Sequence, residues 1–225
     1  MSRSIAAAFT LVVTVSAAAQ VPFKFEPHGV LKPGSGRGRS DTRNHAPGMR
    51  FPVELAPAFA NSQVWNPGGQ HGGRGGQCSA SNYTYPWQDN YCETRSWPIA
   101  LCPSGAGHQG QDIRPATCAK DQHWAVAVAD GTVSHIGSYS LYLYSEDGNT
   151  RYDYLHMSGV AVKVGTKVKK GTRLGRISNV FQQGTSTTIH LHFNIRRNLP
   201  ELGWTFVPPY AALIDAYQRL QAGQP

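Results

Sequence analysis

The sequence predicts a mainly β protein with antiparallel strands and one helix at the end of the chain. It contains 24 glycines and 15 prolines in 225 residues, a composition that favours a loop-rich β fold over a helical bundle. Short apolar and β-branched runs separated by glycine turns continue from residue 123 to residue 195. The tail instead has apolar residues at helical spacing between residues 209 and 221.

Turn residues mark the ends of the predicted strands. The run that begins at His123 ends at the turn pair Asp130-Gly131, and the run that ends at Tyr144 is followed by a polar turn around Gly148. Such short, tightly connected strands are typical of antiparallel architectures. The strands are predicted at 123–129, 132–136, 141–144, 150–157, 160–164, 167–168, 172–177 and 188–195, and the terminal helix is expected to pack on the sheet.

The N-terminus has the organisation of a secretory signal peptide. A short positive region at 1–3 precedes an apolar run at 5–15 and three alanines at 17–19. The run is too short for a comfortable membrane span. We therefore predict a signal peptide at residues 1–19, a mature chain beginning at Gln20, and export to the periplasm or the medium. No transmembrane span is expected after signal cleavage.

The next segment, residues 20–77, is predicted to be an irregular Gly/Pro-rich arm or pro-segment. Two stretches, 32–39 and 66–76, have the composition of linkers. The apolar residues of 51–64 could dock on the main domain. A pro-segment, a substrate-mimicking arm and a flexible linker remain open as interpretations, and the main domain is placed at 78–225.

Four cysteines lie within a 41-residue stretch, at Cys78, Cys92, Cys102 and Cys118. An even number of cysteines in an exported chain predicts two disulfides. Sequence cannot choose among the three pairings, and we favour the sequential one, Cys78–Cys92 with Cys102–Cys118. A zinc site made of four thiolates is the alternative, but the spacings lack a CxxC pair.

The formal net charge of +8 favours polyanionic partners. Nucleic acid is one candidate, and an acidic cell-wall polymer is another. The lysines and arginines are scattered, without a dense basic helix or an RNA-binding aromatic motif. We therefore expect no nucleic-acid partner.

Two histidines in the last predicted strand are the first candidate site residues. Successive side chains of a strand point to opposite faces, so His190 and His192 share one face while Leu191 and Phe193 share the other. Two imidazoles side by side on a rigid strand indicate part of a zinc site.

A second pair, His108 and Asp112, supplies further ligands. A fully extended strand would separate these residues by about 13 Å, too far for one small ion. The segment must therefore bend, and Gly110 permits this. Together with His192 the pair provides two imidazoles and one carboxylate and leaves one tetrahedral position open, which is typical of catalytic zinc.

A third element, the Tyr-Leu-His sequence at 154–156, places another imidazole, His156, near the predicted metal. His156 and His190 are not needed as ligands. Both are expected to hold the water, the scissile carbonyl or the oxyanion.

The order of these motifs resembles the M23 family of zinc metallopeptidases, the lysostaphin/LytM-type peptidoglycan endopeptidases. The residues that carry the resemblance are H-x-x-x-D at 108–112, Y-x-H at 154–156 and H-L-H-F at 190–193. Segment 127–133 resembles the family's A-x-x-D-G-x-V strand pair. Segment 165–175 resembles its G-x-x-V-x-x-G-x-x-I-G hairpin.

The resemblance implies that His108, Asp112 and His192 bind zinc and that His156 and His190 are catalytic around a metal-bound water. It also implies hydrolysis of peptide bonds in peptidoglycan cross-links. The implied fold is an antiparallel β-sheet groove or partly open barrel, lysostaphin- or glucose-permease-like. We expect a monomer whose partners are bacterial peptidoglycan peptides.

The sequence departs from the family pattern at Thr188-Ile189, where a Gly-Pro-like pair is usual, and Asp153 is unusual in charge. The first departure puts substrate preference in doubt rather than zinc binding. Two alternatives remain: a non-hydrolytic cell-wall binding or regulatory protein on the same fold, and a secreted protease of Gly-rich proteins. Arg95 is a candidate contact for a peptide carboxylate, with a solvated charge as the ordinary interpretation.

Overall fold

The computed structural model describes residues 22–225. The predicted signal peptide at 1–19 and the expected mature first residue, Gln20, lie outside the described residues. Within the described part of the chain, no helix is long and apolar enough to cross a membrane.

Eleven strands and one α-helix make up the regular structure of residues 22–225, apart from two single 3-10 turns. The helix, α1, covers Tyr210–Gln221, as the apolar spacing predicted. The strands are β1 (Phe59–Ala60), β2 (Gln111–Arg114), β3 (Trp124–Val126), β4 (Gly131–Ile136), β5 (Ser140–Ser145), β6 (Thr150–Leu155), β7 (Met157–Ser158), β8 (Lys167–Val168), β9 (Arg173–Ile177), β10 (Leu191–Leu199) and β11 (Gly203–Val207).

The larger sheet has the strand order β1-β2-β10-β6-β5-β4-β8, and β11 pairs with the far half of β10. Each of its pairings is antiparallel. A smaller antiparallel sheet has the order β3-β9-β7. The edge strands of the larger sheet, β1 and β8, do not pair with each other in the described residues, so the sheet stays open. The predicted mainly β, antiparallel fold class is confirmed.

Strand β10 lies in the middle of the larger sheet and separates two environments. Leu191, Phe193 and Ile195 point into the hydrophobic core, where they are fully buried. The alternate residues, His192 and Asn194, point to the other face, as the period of a strand requires. This central position gives the polar residues of β10 a rigid support.

The segment before residue 78 has little regular structure but contributes to the same core. Phe51 and Val53 are buried there. The Phe51 ring lies 5.7 Å from Trp87 and 5.0 Å from Tyr217 of α1, centroid to centroid. Aromatic packing, the short β1–β2 pairing and isolated backbone hydrogen bonds to residues 124–128 together hold this segment. The domain boundary at residue 78 and the role of 20–77 as an arm or pro-segment stay predictions.

Three strand predictions were wrong in detail. Segment 160–164 is not a strand, because it turns around Gly165, at φ +86°, while Val160 and Val162 still pack against the core. The strand predicted at 150–157 is interrupted at His156, whose φ is +65°. The last strand begins at Leu191, so His190 precedes it.

The favoured disulfide pairing was also wrong. The bonds join Cys92 to Cys102 and Cys78 to Cys118, with Cα atoms 5.4 Å apart in each pair. Residues 92–102 fold back on themselves, which brings their own cysteines together. Cys78 then meets Cys118 because the residue before it, Gln77, is tied to the end of β2 through a 3.0 Å hydrogen bond from Arg114.

Candidate metal centre

Two neighbouring strands bring three potential ligands together. Asp112 on β2 and His192 on β10 are Cα partners in the antiparallel register. His108 Nε2 lies 2.9 Å from His192 Nδ1 and 3.3 Å from Asp112 Oδ1, and the last two atoms are 3.0 Å apart. All three side chains are buried, and their donor atoms lie within 4.8 Å of one another.

A bend between His108 and Asp112 makes this convergence possible. The segment turns at Gly110 and enters β2 at Gln111. A Cβ atom on Gly110 would lie 2.3 Å from the carbonyl oxygen of Phe193. A side chain at this position would therefore push the segment away from β10 and separate the two ligands.

Each ligand imidazole has one nitrogen that faces the other ligands and one, called the outer nitrogen, that faces away from them. A hydrogen bond at the outer nitrogen selects the tautomer. His108 Nδ1 lies 3.0 Å from the carbonyl oxygen of Asn90 and must donate, because a carbonyl can only accept. His192 Nε2 lies 2.6 Å from Asn194 Oδ1. The Asn194 amide is oriented by its own donation to Asp153 Oδ2 at 3.3 Å, so its oxygen faces the histidine. Both protons thus lie on the outer nitrogens.

The inner nitrogens, His108 Nε2 and His192 Nδ1, therefore carry lone pairs that face each other and the Asp112 carboxylate. Three electron-rich atoms at such short separations repel one another unless a cation lies among them. Two imidazole nitrogens and one carboxylate oxygen form a donor set that suits Zn²⁺, and outer-side hydrogen bonds of this kind are typical of metal-bound histidines. The residues present thus fit a metal ion.

Asp112 is held as the charged member of the group. Its Oδ2 accepts a 2.8 Å hydrogen bond from the Asn90 side chain, and its backbone N–H donates to Asn90 Oδ1 at 3.2 Å. Burial alone would raise the pKa of Asp112, but the neighbouring His108 and His190 outweigh it and hold that pKa well below its usual value. The carboxylate is therefore ionised at neutral pH.

The predicted catalytic histidines border this group. His190 Nε2 lies 3.4 Å from Asp112 Oδ1, and His190 Nδ1 donates to the carbonyl oxygen of Thr188 at 2.8 Å. The ring of His156 lies 4.6 Å from the ring of His190, centroid to centroid, and its Nδ1 donates to the carbonyl oxygen of Val180 at 2.9 Å. In both rings Nε2 is therefore the basic atom.

The backbone of Ser178 joins these two histidines. Its N–H donates to the carbonyl oxygen of His156 at 2.9 Å, and its carbonyl oxygen accepts from the N–H of His190 at 3.2 Å. His156 has a left-handed backbone, which is uncommon for a residue other than glycine and is often found at functional sites. The interruption of the strand at His156 turns its ring toward His190.

Burial favours the uncharged form of His156 and His192. It lowers the pKa of His156 well below its usual value, and the neighbouring His190 and His192 lower it further. Burial, together with His108, also lowers the pKa of His192. Both imidazoles are therefore neutral at neutral pH, the form in which His192 can bind a metal and His156 can accept a proton.

The arrangement of ligands and bordering histidines agrees with what a comparison of the sequence with protein families finds. The model of peptidase family M23 matches residues 106–202, which contain all five predicted site residues. The matched segment, residues 106–202, is called the M23 domain below. The resemblance inferred from the motifs is thus confirmed.

The similar proteins are peptidases by name. Glycyl-glycine endopeptidase ALE-1 of Staphylococcus capitis is 30% identical over 128 residues, which cover 54% of this chain and 34% of that protein. This chain thus spans about a third of the length of that relative. The catalytic domain of the antimicrobial peptidase lysostaphin from Staphylococcus simulans is 27% identical over 60% of this chain and 94% of the domain, with a TM-score of 0.42. Intact lysostaphin is 26% identical over 57% of this chain and 52% of its own, with a TM-score of 0.40.

A cavity of about 330 Å³ opens over the ligand group of the M23 domain. His156, His190 and Phe181 line it from within the domain. Other lining residues come from the chain before residue 106 and therefore lie outside the matched segment: Gln63, Val64, Gln70, Arg95 and Trp97. The M23 domain thus supplies the ligands, while an N-terminal segment completes the walls.

The sequence departures noted above have structural roles beside the ligands. Thr188 accepts from His190 through its carbonyl oxygen, and its hydroxyl donates to Gln63 Oε1 at 2.6 Å. Asp153 accepts from Asn194 and forms a bidentate ion pair with Arg151, at 2.6 and 2.8 Å. Neither departure displaces a ligand.

Sequence reasoning missed the residues that orient the ligands of the M23 domain. Asn194 had a usable signal, because it lies two positions after His192 and a strand places both on one face. Asn90 had none, since it lies 22 residues before Asp112 in an irregular segment. The contacts of Asn90 exist only because the folded chain brings residues 90 and 108–112 together.

Proposed function

We propose that this chain is an exported zinc-dependent endopeptidase that hydrolyses peptide bonds in bacterial peptidoglycan cross-links. The observation that carries the proposal is the convergence of His108 Nε2, Asp112 Oδ1 and His192 Nδ1. The M23 match and the name of the Staphylococcus capitis relative support an endopeptidase, and the resemblance of the motifs to peptidoglycan endopeptidases is the basis for the substrate. The two disulfides are in keeping with export.

His108, Asp112 and His192 would hold the metal, with one coordination position open toward the cavity. Zinc in such a site acts as a Lewis acid on a carbonyl group and lowers the pKa of water. Asp112 and His192 lie on paired strands, His108 precedes one of them, and all three side chains are buried away from bulk water. Both features preorganise a metal site.

His190 and His156 would handle the proton. Each presents Nε2 as its basic atom, because Nδ1 is committed to a backbone carbonyl. His190 Nε2 lies at the edge of the ligand group and is suited to take a proton from water or to hold the oxyanion. His156, whose ring packs against that of His190, is also suited to accept a proton at Nε2. Once protonated there, it can donate to the oxyanion or pass that proton to the leaving amine.

The test is incubation of purified peptidoglycan with the mature protein, followed by mass spectrometry of the released muropeptides. We expect new free amines and shortened cross-links, with loss of both in a chelator and recovery on addition of Zn²⁺. Elemental analysis should give one zinc per chain. Absence of stoichiometric zinc together with absence of cleavage would instead support the non-hydrolytic binder. Cleavage of Gly-rich proteins but not of wall peptides would support the secreted protease.

A further inference from the structure

One arginine borders the cavity above the ligand group. Arg95 lines this cavity together with His108, Asp112 and His192. Among the described lining residues it is the one lysine or arginine, and the others outside the ligand group are amides, hydroxyls, aromatic rings, imidazoles and the aliphatic Val64. A fixed positive charge at this place acts directly on whatever binds over the ligands.

The Arg95 side chain is held rather than free in solvent. Its Nη2 donates to Glu93 Oε2 at 3.0 Å and its Nη1 donates to the carbonyl oxygen of Thr94 at 2.6 Å. The side chain is 20% exposed, and that of Glu93 is 1% exposed. These bonds use two of the five N–H donors of the guanidinium group, so three remain for a ligand.

The backbone that carries Arg95 is tied to the ligand His108. The N–H of Cys92 donates to the carbonyl oxygen of His108 at 3.0 Å, and the N–H of His108 donates to the carbonyl oxygen of Glu93 at 2.8 Å. The Cys92–Cys102 disulfide closes the same loop. Cys92 and Glu93 are thus fixed against His108, and Arg95 comes two residues after Glu93. The position of Arg95 relative to the ligands is therefore constrained.

We propose that Arg95 forms a carboxylate-binding subsite, so that the preferred substrate is an acidic peptide with a free carboxylate close to the bond that is cut. The proposal rests on the proposed function. A guanidinium group with a fixed plane and free N–H donors is the side chain best suited to a carboxylate. Glu93 anchors the guanidinium from the buried side, and the exposed part borders the cavity.

The subsite is a property of this chain and not of the M23 segment. Arg95 lies before residue 106, where the family match begins. A substrate made only of glycine offers no side-chain carboxylate to it. The inference therefore predicts a preference that differs from cleavage within an all-glycine bridge.

The experiment uses the full chain and a matched series of peptides. Each residue of a pentaglycine peptide is replaced in turn by Glu or by Gln. For one position we expect the wild-type protein to cleave the Glu peptide with a kcat/KM about tenfold or more above that of the Gln peptide. Arg95→Gln should abolish this ratio, while Arg95→Lys should retain part of it. An equal Glu/Gln ratio in wild type and Arg95→Gln at every position would overturn the proposal.

Arg173→Gln is the matched control. Arg173 also pairs with a glutamate, Glu54, at 2.6 Å, but it lies on β9 and does not line the cavity. We expect this variant to keep the wild-type Glu/Gln ratio. Loss of the ratio in Arg173→Gln as well would overturn the assignment to Arg95.

Calorimetric binding of the same peptides separates the subsite from the proposed activity. Tighter binding of a Glu peptide that disappears in Arg95→Gln, without any cleavage, would support the subsite and contradict the endopeptidase. Zinc-dependent cleavage without a Glu preference would support the endopeptidase and contradict the subsite. Absence of an Arg95-dependent difference in both binding and cleavage would overturn the subsite outright.

Discussion

The M23 domain and the segment before it are held together by different forces and contribute different parts of the site. Residues 106–202 contain the paired strands that position Asp112 and His192. Residues 22–105 have little regular structure apart from the short β1. They are fixed by aromatic packing around Trp87, by side-chain and isolated backbone hydrogen bonds and by both disulfides.

This difference assigns the metal ligands to the M23 domain and part of the substrate-facing cavity wall to the earlier segment. The strand ladder holds the ligands at fixed distances, as a metal site requires. The irregular segment contributes cavity walls through Gln63, Arg95 and Trp97. Changes to the ligands of the M23 domain should therefore abolish metal binding or turnover, whereas changes to the cavity-lining residues of the earlier segment should alter which peptide is preferred. Asn90 is the exception in that segment, because it orients Asp112 and His108.

The largest effect is expected from loss of a ligand. His192→Ala removes the Nδ1 donor at the centre of the group, so the protein should lose its zinc and its activity should fall to that of chelated wild type. Elemental analysis and muropeptide release measure both. His135→Ala, an exposed histidine on β4, is the control and should keep both metal and activity. Retention of stoichiometric zinc by His192→Ala would remove the basis of the site.

The next effect is expected from loss of a bordering histidine. His190→Ala should keep much of the metal, because His190 is not among the three ligands. Turnover should fall by about 10² to 10⁴-fold, the usual contribution of a positioned acid or base. Metal content and kcat should be measured on the same preparation. Full turnover by this variant would show that His190 has no catalytic part.

A smaller effect is expected from loss of a residue that orients a ligand without binding the metal itself. Asn194→Ala removes the acceptor that keeps the proton on His192 Nε2, and the affinity for zinc should fall by about 10 to 100-fold. Competition with a chromophoric chelator measures this affinity. Asn198 lies on the same strand and is exposed, so Asn198→Ala is the control and should leave the affinity for zinc unchanged. Equal affinities in the two variants would contradict the orienting role of Asn194.

The smallest effect on the ligand group is expected from the disulfides. Replacing both cysteines of a pair by serine should lower the free energy of unfolding by about 3 kcal/mol for Cys92–Cys102 and about 4 kcal/mol for Cys78–Cys118, since the second closes a longer loop. Denaturant unfolding measures both values. In the Cys92–Cys102 variant, peptide preference should change more than zinc affinity. The opposite order would contradict the division of roles between the two regions.

Agreement between sequence and structure was best where local patterns act. Glycine turns and β-branched runs predicted most strands of the sheet, and apolar spacing predicted α1, because alternation and helical periodicity are local properties. The need for a bend at Gly110 also followed from the reach of an extended chain. Prediction failed at 160–164, where alternating valines pack on the core without forming a strand.

By itself, the sequence determined the fold class and the candidate ligands, because motif order and residue chemistry depend only on neighbours along the chain. Only the tertiary structure decided the disulfide pairing, the part played by Asn90 and the placement of Arg95 beside the ligands. Apart from the local Cys92–Cys102 bond, these contacts join segments whose proximity results from the packing of the whole domain. A local pattern carries no information about such contacts, since the closing of long loops depends on the core that the entire chain forms.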